Sequence, residues 1–221
     1  IQLLKGLGVT LEISCFAVIL GVVLGFIVAT IRASHDKLLK DKKCSHFSDY
    51  ILKVLNVICN IYITVIRGTP VVIQLMIAYY IIFASLRNGI VAAVLAFGIN
   101  SGAYVAEIVR SGIMSIDKGQ FEAGRSLGFN YTQTMIHIIL PQALKNVLPA
   151  LGNEFIVLLK ETSVAGYVAL KDLTYVGNLI RSRTYEAFFP LITVAVIYLV
   201  IVLILTYILK VFERRLRKNE R

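Results

Sequence analysis

The chain has 221 residues, 57% of them hydrophobic and 16% charged, with a net charge of +10 and a mean hydropathy of +0.78. A soluble domain carries about 45–50% apolar and about 25% charged residues, so this composition excludes one, and it also excludes a disordered tail, a coiled coil and a secreted disulfide scaffold. Excess positive charge on so apolar a chain reads as a membrane protein with basic cytoplasmic loops rather than a nucleic-acid binder, and the length holds roughly four to six spans of about 20 residues.

Five apolar segments follow in chain order and predict an all-α polytopic membrane protein, with 1–221 as a single transmembrane domain. The first span covers about 7–31, where Gly21 and Gly25, four apart, let a neighbouring helix approach closely. The second covers about 51–85 and is interrupted by Arg67-Gly68-Thr69-Pro70. It is either one broken span or a hairpin of two short ones. Thr69 suits the cap of a new helix and Pro70 its first position. The third span covers about 89–109, with Asn100, Tyr104 and Glu107 on one face at i, i+4 and i+7. Helix–helix contact is the first reading of these three, with Asn100 a second-tier candidate for a pocket. Glu107 and Arg110, nearer the cytoplasmic end, read as a gate or a structural pair.

Residues 111–141 form the longest polar stretch. A short helix over about 118–127 fits there, with Gly128 as its C-terminal cap and Pro141 interrupting the chain before the next helix. The fourth span covers about 147–165. Glu154 and Glu161, seven residues apart, fall about 20° short of two full turns, so both carboxylates share a face, with Asn153 and Lys160 beside them. Residues 166–187 carry Leu170, Leu173, Val176, Leu179 and Ile180 in an amphipathic pattern that predicts a short outer helix. Its Lys171, Arg181 and Arg183 are either solvated or part of a docking rim. The fifth span covers about 188–212.

Charge placement chooses between the two readings of the second span. With one discontinuous span, the inside stretches 32–53, 110–145 and 210–221 hold 6, 4 and 6 Lys and Arg, and the outside stretches hold 5 in all. A hairpin would put the basic 32–53 and 210–221 stretches on opposite sides. The positive-inside rule therefore gives an outer N-terminus and a cytoplasmic C-terminus. The chain has no Gly-x-x-x-x-Gly-Lys-Ser/Thr phosphate loop and no Cys/His metal spacing. Cys15, Cys44 and Cys59 make no disulfide framework, and His35, His46 and His137 are scattered, so no catalytic constellation emerges.

The polar loop carries Glu122-Ala123-Gly124, three residues, Gly128, nine residues, then Ile138-x-Leu140-Pro141. This resembles the EAA loop of ABC importer permeases, with Gly124 in place of the second alanine. Tyr104 to Arg110, Gly119-Gln120, Arg67 to Pro70, Asn153-Glu154 and Leu159 to Ser163 extend the resemblance, over nearly the whole chain, to the polar amino acid uptake subfamily. The resemblance implies that the short helix around Glu122, Ala123, Gly124 and Gly128 is a coupling helix docked in an ATPase. It implies two ATPase copies that bind ATP and Mg, so no cofactor is expected in this chain. It further implies a second permease subunit, an extracytoplasmic binding protein, and a place in the plasma membrane of a prokaryote. A homodimer is the simpler expectation; lipid, not nucleic acid, surrounds the chain.

An ionisable group inside a span costs about 2.5–3.5 kcal/mol on the insertion scale, so Arg67, Glu154, Lys160 and Glu161 mark a function or a specific pair. Arg67, Thr69 and the backbone N–H groups after the break suit the α-carboxylate of an amino acid, with Gln74 one turn on. Glu154 and Glu161, two carboxylates against Lys160, suit a cationic end. Asn153-Glu154 resembles the histidine and basic amino acid importers, which points to arginine, lysine or histidine. The resemblance places Thr162 and Ser163 at or near the pocket; back-bonding to helix carbonyls is their other reading. Arg67 snorkelling at a kink and a Lys160–Glu161 pair gluing helices are the structural alternatives. An ion-coupled secondary transporter or channel, with Glu154 and Glu161 as ion ligands, is the competing class, and the EAA-like loop argues against it. An intramembrane enzyme lacks a nucleophile–base pair.

Overall fold

The computed structural model describes residues 1–38, 47–85 and 88–218; Lys40, Lys42, Lys43, Cys44, His46 and Arg87 lie outside the described residues. Every element among them is helical. α1 (Gln2–Leu38) and α2 (Phe47–Gly68) precede α3 (Val71–Ile77), which runs into a π-helical turn, Ala78–Ile82. α4 (Gly89–Met114), α5 (Lys118–Ser126) and α6 (Tyr131–Thr134) follow. A second π-helical turn, Met135–Ile139, leads into α7 (Leu140–Glu161) and a 3-10 turn, Thr162–Val168. α8 (Leu173–Thr184) and α9 (Phe188–Lys218) complete the order. By length and composition α1, α2, α4 and α9 are able to cross a membrane. α7 has 22 residues, about 33 Å of helix, but Lys145, Glu154, Lys160 and Glu161 dilute its hydropathy.

α4 is the hub. Its Ala93, Ala96 and Phe97 are buried against Ile13 and Ala17 of α1, Leu75 of α3 and Leu158 of α7. The small residues of α1 face it: Gly21 lies on Ser101 and Gly102, and Gly25 on Val105 and Ala106. In return, Gly98 of α4 receives Leu20. The close approach read from the glycine step is therefore present, and α4 is its partner. α9 turns Leu199, Leu203, Ile204 and Tyr207 outward, as a helix does where the solvent is lipid.

α8 is the short helix expected from the amphipathic pattern. Leu173 and Val176 are buried, and Lys171, Arg181 and Arg183 are exposed. It packs on both α1 and α9. Asp172 caps it, accepting from the N–H groups of Thr174 and Tyr175 at 3.0 Å each. The N–H before these, of Leu173, donates to Thr10 Oγ1 of α1 at 3.1 Å. The Thr174 hydroxyl lies 3.3 Å from that of Tyr198 on α9. Burial pushes the Asp172 carboxyl up, and the N–H bonds from Tyr175 and Thr174 oppose that shift.

Pro141 does not interrupt the chain as the sequence predicts. It sits in the first turn of α7, and the helix arrives there through the π-helical turn. A widened turn carries the backbone past the residue that lacks an N–H, so helix continues from Tyr131 into α7.

Candidate functional site

The second apolar segment breaks where the sequence places the break. α2 ends at Gly68, Pro70 is extended (φ −65°, ψ 134°) and α3 starts at Val71. Thr69 does not cap α3. Its hydroxyl donates back to the Val65 carbonyl at 2.8 Å and accepts from Gln74 Nε2 at 2.7 Å. Gln74 Nε2 also lies 2.7 Å from the Ile66 carbonyl and 3.0 Å from that of Thr69. These belong to the carbonyls left without helical partners when α2 stops. The Gln74 amide thus clips the break, and its Oε1 accepts from Asn100 Nδ2 of α4 at 2.8 Å. Tyr62 donates to the carbonyl of Ile99, the neighbouring residue on α4. In a straight helix Tyr62 and Gln74 would stand about 18 Å apart along the axis. The break bends the segment so that both sides lean on one part of α4.

The polar face of α4 read from the sequence meets this bend. Asn100 is tied to Gln74. The Arg67 guanidinium lies 5.4 Å from the centre of the Tyr104 ring, and its Nη1 is 3.9 Å from Glu107 Oε2. The other oxygen of Glu107 accepts from Arg32 of α1. Arg110 pairs with Asp36 at 3.3 Å rather than with Glu107. Arg32 and Asp36 escape the sequence reading because they stand in a basic stretch that looks like topology signal. The close packing of α1 on α4 is what gives them partners.

On the neighbouring side of α4, Ser101 Oγ donates to Glu154 Oε1 of α7 at 2.9 Å, and Glu154 is buried. Glu161, two turns on, is half-buried. The polar stripe of α7 divides here. Asn153 and Lys160 are exposed, and Asn153 opens instead onto a groove between α7 and α9 with Lys145, Pro149, Thr206 and Lys210. Thr162 is fully buried; its hydroxyl donates to the Leu159 carbonyl at 2.8 Å and lies 3.3 Å from that of Ser14. Ser163 is half-buried beside Tyr167 and Tyr175. A largely apolar cavity of about 390 Å³ opens beside the bend between Ile66, Thr69, Ile73, Gln74 and Ile99. The structure therefore gathers Arg67, Thr69, Gln74 and Asn100 at the bend and sets Glu154 one residue round α4. Asn153, Lys160 and Thr162 stand apart from that group.

α5 is the helix expected in the polar loop. Asp117 caps its start, accepting from the Gly119 N–H at 2.6 Å. Its end is closed by Phe129 N–H to the Gly124 carbonyl at 3.1 Å and Gly128 N–H to the Arg125 carbonyl at 2.9 Å. Gly128 takes φ +80°, the left-handed conformation this closure requires. Glu122, Ala123 and Gly128 are exposed, while Gly124 is buried against Thr134. Asn130 and Gln133 form a capping box that starts α6. Behind α5, a cavity of about 450 Å³ reaches Asp36, Arg110, Glu122, Arg125 and Tyr131, and burial pushes the Tyr131 phenol up.

An apolar helical bundle with polar groups gathered round a broken span, and an exposed polar helix projecting from it, defines a membrane permease subunit. The family described as "Binding-protein-dependent transport system inner membrane component" matches residues 48–218. The chain belongs to that family. It is 40% identical over 221 residues to the arginine transport system permease protein ArtQ of Bacillus subtilis, covering 99% of this chain and 94% of that protein. It is 36% identical over 220 residues to the putative glutamine transport system permease protein GlnP of Rickettsia typhi, covering 98% and 94%. A crystal structure of an amino acid ABC transporter with histidines superposes with a TM-score of 0.84 at 40% identity, covering 97% of this chain and 94% of that one. This chain is thus a permease subunit of an ABC importer for amino acids. It works with a substrate-binding protein and a separate ATPase, which hydrolyses the ATP.

Proposed function

We propose that the chain carries polar, basic L-amino acids (arginine, lysine or histidine) into the cell by alternating access. Glu154 carries this reading. It is a buried carboxylate held by a neutral hydroxyl, and among the described residues no Lys, Arg or His forms an ion pair with it. A buried charge needs a partner, and a cationic cargo supplies one. Glu161 extends the acidic side of the pathway, with Lys160, Asn153, Thr162 and Ser163 at its margins. Arg67 receives the α-carboxylate, and Thr69, Gln74 and Asn100 fix the bend from which Arg67 projects. The relatives named for arginine and histidines support a basic cargo, and the relatives named for glutamine make Glu154 the residue to test.

The assembly proposed is a homodimer of permeases in the lipid bilayer, two ATPase copies that hold ATP and Mg, and an extracytoplasmic binding protein. Each permease is one transmembrane domain over 1–221. It crosses the membrane five times, through α1, the bent α2–α3 segment, α4, α7 and α9, with its N-terminus outside and C-terminus in the cytoplasm. The 111–141 loop is the coupling element; Glu122, Ala123 and Gly128 form its contact with the ATPase, and Gly124 seats that helix on Thr134. An ion-driven mechanism is not favoured for a family whose members draw on a separate ATPase.

The test is stimulation of ATP turnover in the reconstituted complex. Glu154→Gln removes the charge and keeps the Ser101 hydrogen bond, and it is expected to abolish stimulation by arginine, lysine and histidine. Unchanged stimulation would remove Glu154 from the site. Stimulation of the native complex by glutamine alone would replace the basic cargo.

A further inference from the structure

We infer that Glu107 is a positioning residue of the pathway, an internal counter-ion that holds Arg67 while no cargo is bound and yields it to the cargo carboxylate. The inference rests on the reading above that Arg67 receives that carboxylate.

Glu107 stands between two guanidiniums, and the two are not equivalent. Arg32 has a side chain only 14% exposed, and it is directly hydrogen-bonded to one carboxylate oxygen. Arg67 is 45% exposed, and it reaches the other oxygen only at 3.9 Å. Stripping a buried guanidinium of its partner is costly, whereas a half-exposed one at the limit of ion-pair distance loses little. The pair with Arg32 is therefore the permanent one and the pair with Arg67 the exchangeable one. Tyr104 gives Arg67 a face to rest on while it changes partner. Arg110, on the next turn of α4, is already held by Asp36 and does not compete for Glu107.

Charge arithmetic points the same way. Arg32, Arg67 and Glu107 together keep one positive charge in excess, so one further carboxylate neutralises the group. The exchange serves a carrier that must release as well as bind. Glu107 takes Arg67 back when the cargo leaves, so the guanidinium never stands in the membrane without an anion. The cost is affinity, because Glu107 competes with every cargo molecule.

The experiment uses the whole permease–ATPase complex in nanodiscs without binding protein. Equilibrium binding of radiolabelled arginine and glutamine is measured, since both carry the α-carboxylate, and transport turnover is followed in proteoliposomes. Glu107→Gln keeps a hydrogen-bond acceptor for Arg32 and removes the competing charge. Binding is expected to tighten about three- to ten-fold, the order set by deleting one charge a few ångströms from the site, while maximal turnover falls. Glu107→Asp, which keeps the charge but draws it back from Arg67, is expected to tighten binding less; it carries the test if Glu107→Gln fails to assemble. Unchanged or weaker binding in an assembled variant overturns the inference, because a merely structural role for Glu107 does not raise affinity. Arg67→Gln separates the two levels. If it leaves binding intact, the reading of Arg67 fails and this inference with it. If it abolishes binding and neither Glu107 variant tightens it, the inference alone fails.

Discussion

Gly124 stands where the loop motif has alanine, and Thr134 is the reason. A Cβ added at 124 would lie 2.6 Å from Thr134 Cγ2 and 2.7 Å from its Oγ1. Thr134 cannot swing aside, because it is branched at Cβ and its hydroxyl is bonded to the Asn130 carbonyl at 3.0 Å. Alanine gains about 1 kcal/mol of helix propensity over glycine, but overpacking costs about 1–3 kcal/mol, so the collision wins. Gly124→Ala is expected to lower cargo-stimulated ATP turnover by displacing α5. Thr134→Ala in the same chain is expected to restore it, as assayed in the reconstituted complex. Failure of that rescue would place the defect at the ATPase contact instead. At this scale the sequence is informative about residues and nearly silent about their partners. Helical spacing put Glu154 and Glu161 on one face, and placed Asn100, Tyr104 and Glu107 on another. That Ser101 meets Glu154, or that Gln74 meets Asn100, depends on which helices touch, and no periodicity within one helix contains that.

The elements were legible where a local rule decides them. The break at Arg67 to Pro70 and the Gly128 closure follow from residues that cannot continue a helix. Three expectations failed because a local rule admits more than one solution. Pro70, expected at the first position of the new helix, stands one residue ahead of it in extended conformation. Thr69 has the side chain of a cap, but its hydroxyl back-bonds to Val65 and leaves the clip to Gln74. Pro141 has the ring of a breaker, yet the π-helical turn Met135–Ile139 just before it carries the helix past the residue that lacks an N–H. The cap of α8 gives a prediction in pH. Asp172 is fully buried and its carboxyl is pushed up by that burial, from an ordinary value of 3.8. A carboxyl raised in the native state adds stability while protonated, and that contribution disappears as pH rises from the unfolded value through the raised native one. Thermal stability in detergent, compared between about pH 4 and pH 7, is expected to include this loss for the native chain. Asp172→Asn cannot titrate and keeps one acceptor oxygen, for one of the Thr174 and Tyr175 N–H groups, and is expected to flatten that part of the profile. Asp172→Ala loses the cap and is expected to cost about 0.5–2 kcal/mol at every pH.

In the molecule as a whole, one helix pair joins the end of the bundle that carries α8 to the end that carries Glu107 and Arg110. α1 touches the start of α8 through Thr10, sits on α4 through Gly21 and Gly25, and reaches Glu107 and Arg110 through Arg32 and Asp36. The contact is continuous because Gly21 and Gly25 let Ser101, Gly102, Val105 and Ala106 come close at its middle. Without an apolar driving force between helices in lipid, such close backbone approach is what holds them together. It also positions Glu154, since Ser101 is both the surface under Gly21 and the hydrogen-bond donor to Glu154. Gly25→Leu would drive a side chain into Val105 and prise the pair apart, with an expected cost of about 1–3 kcal/mol or more. Gly8, on the same helix, has nothing within 4 Å of an added Cβ. Gly8→Leu is therefore expected to leave thermal stability and transport close to native, whereas Gly25→Leu lowers both and, by parting Arg32 from Glu107, alters cargo affinity as well as yield. Equal damage from the two variants would mean that α1 is held by its N-terminal end alone. Damage confined to Gly25→Leu would place the linkage between Ser101–Glu154 and Arg32–Glu107 in the α1–α4 seam.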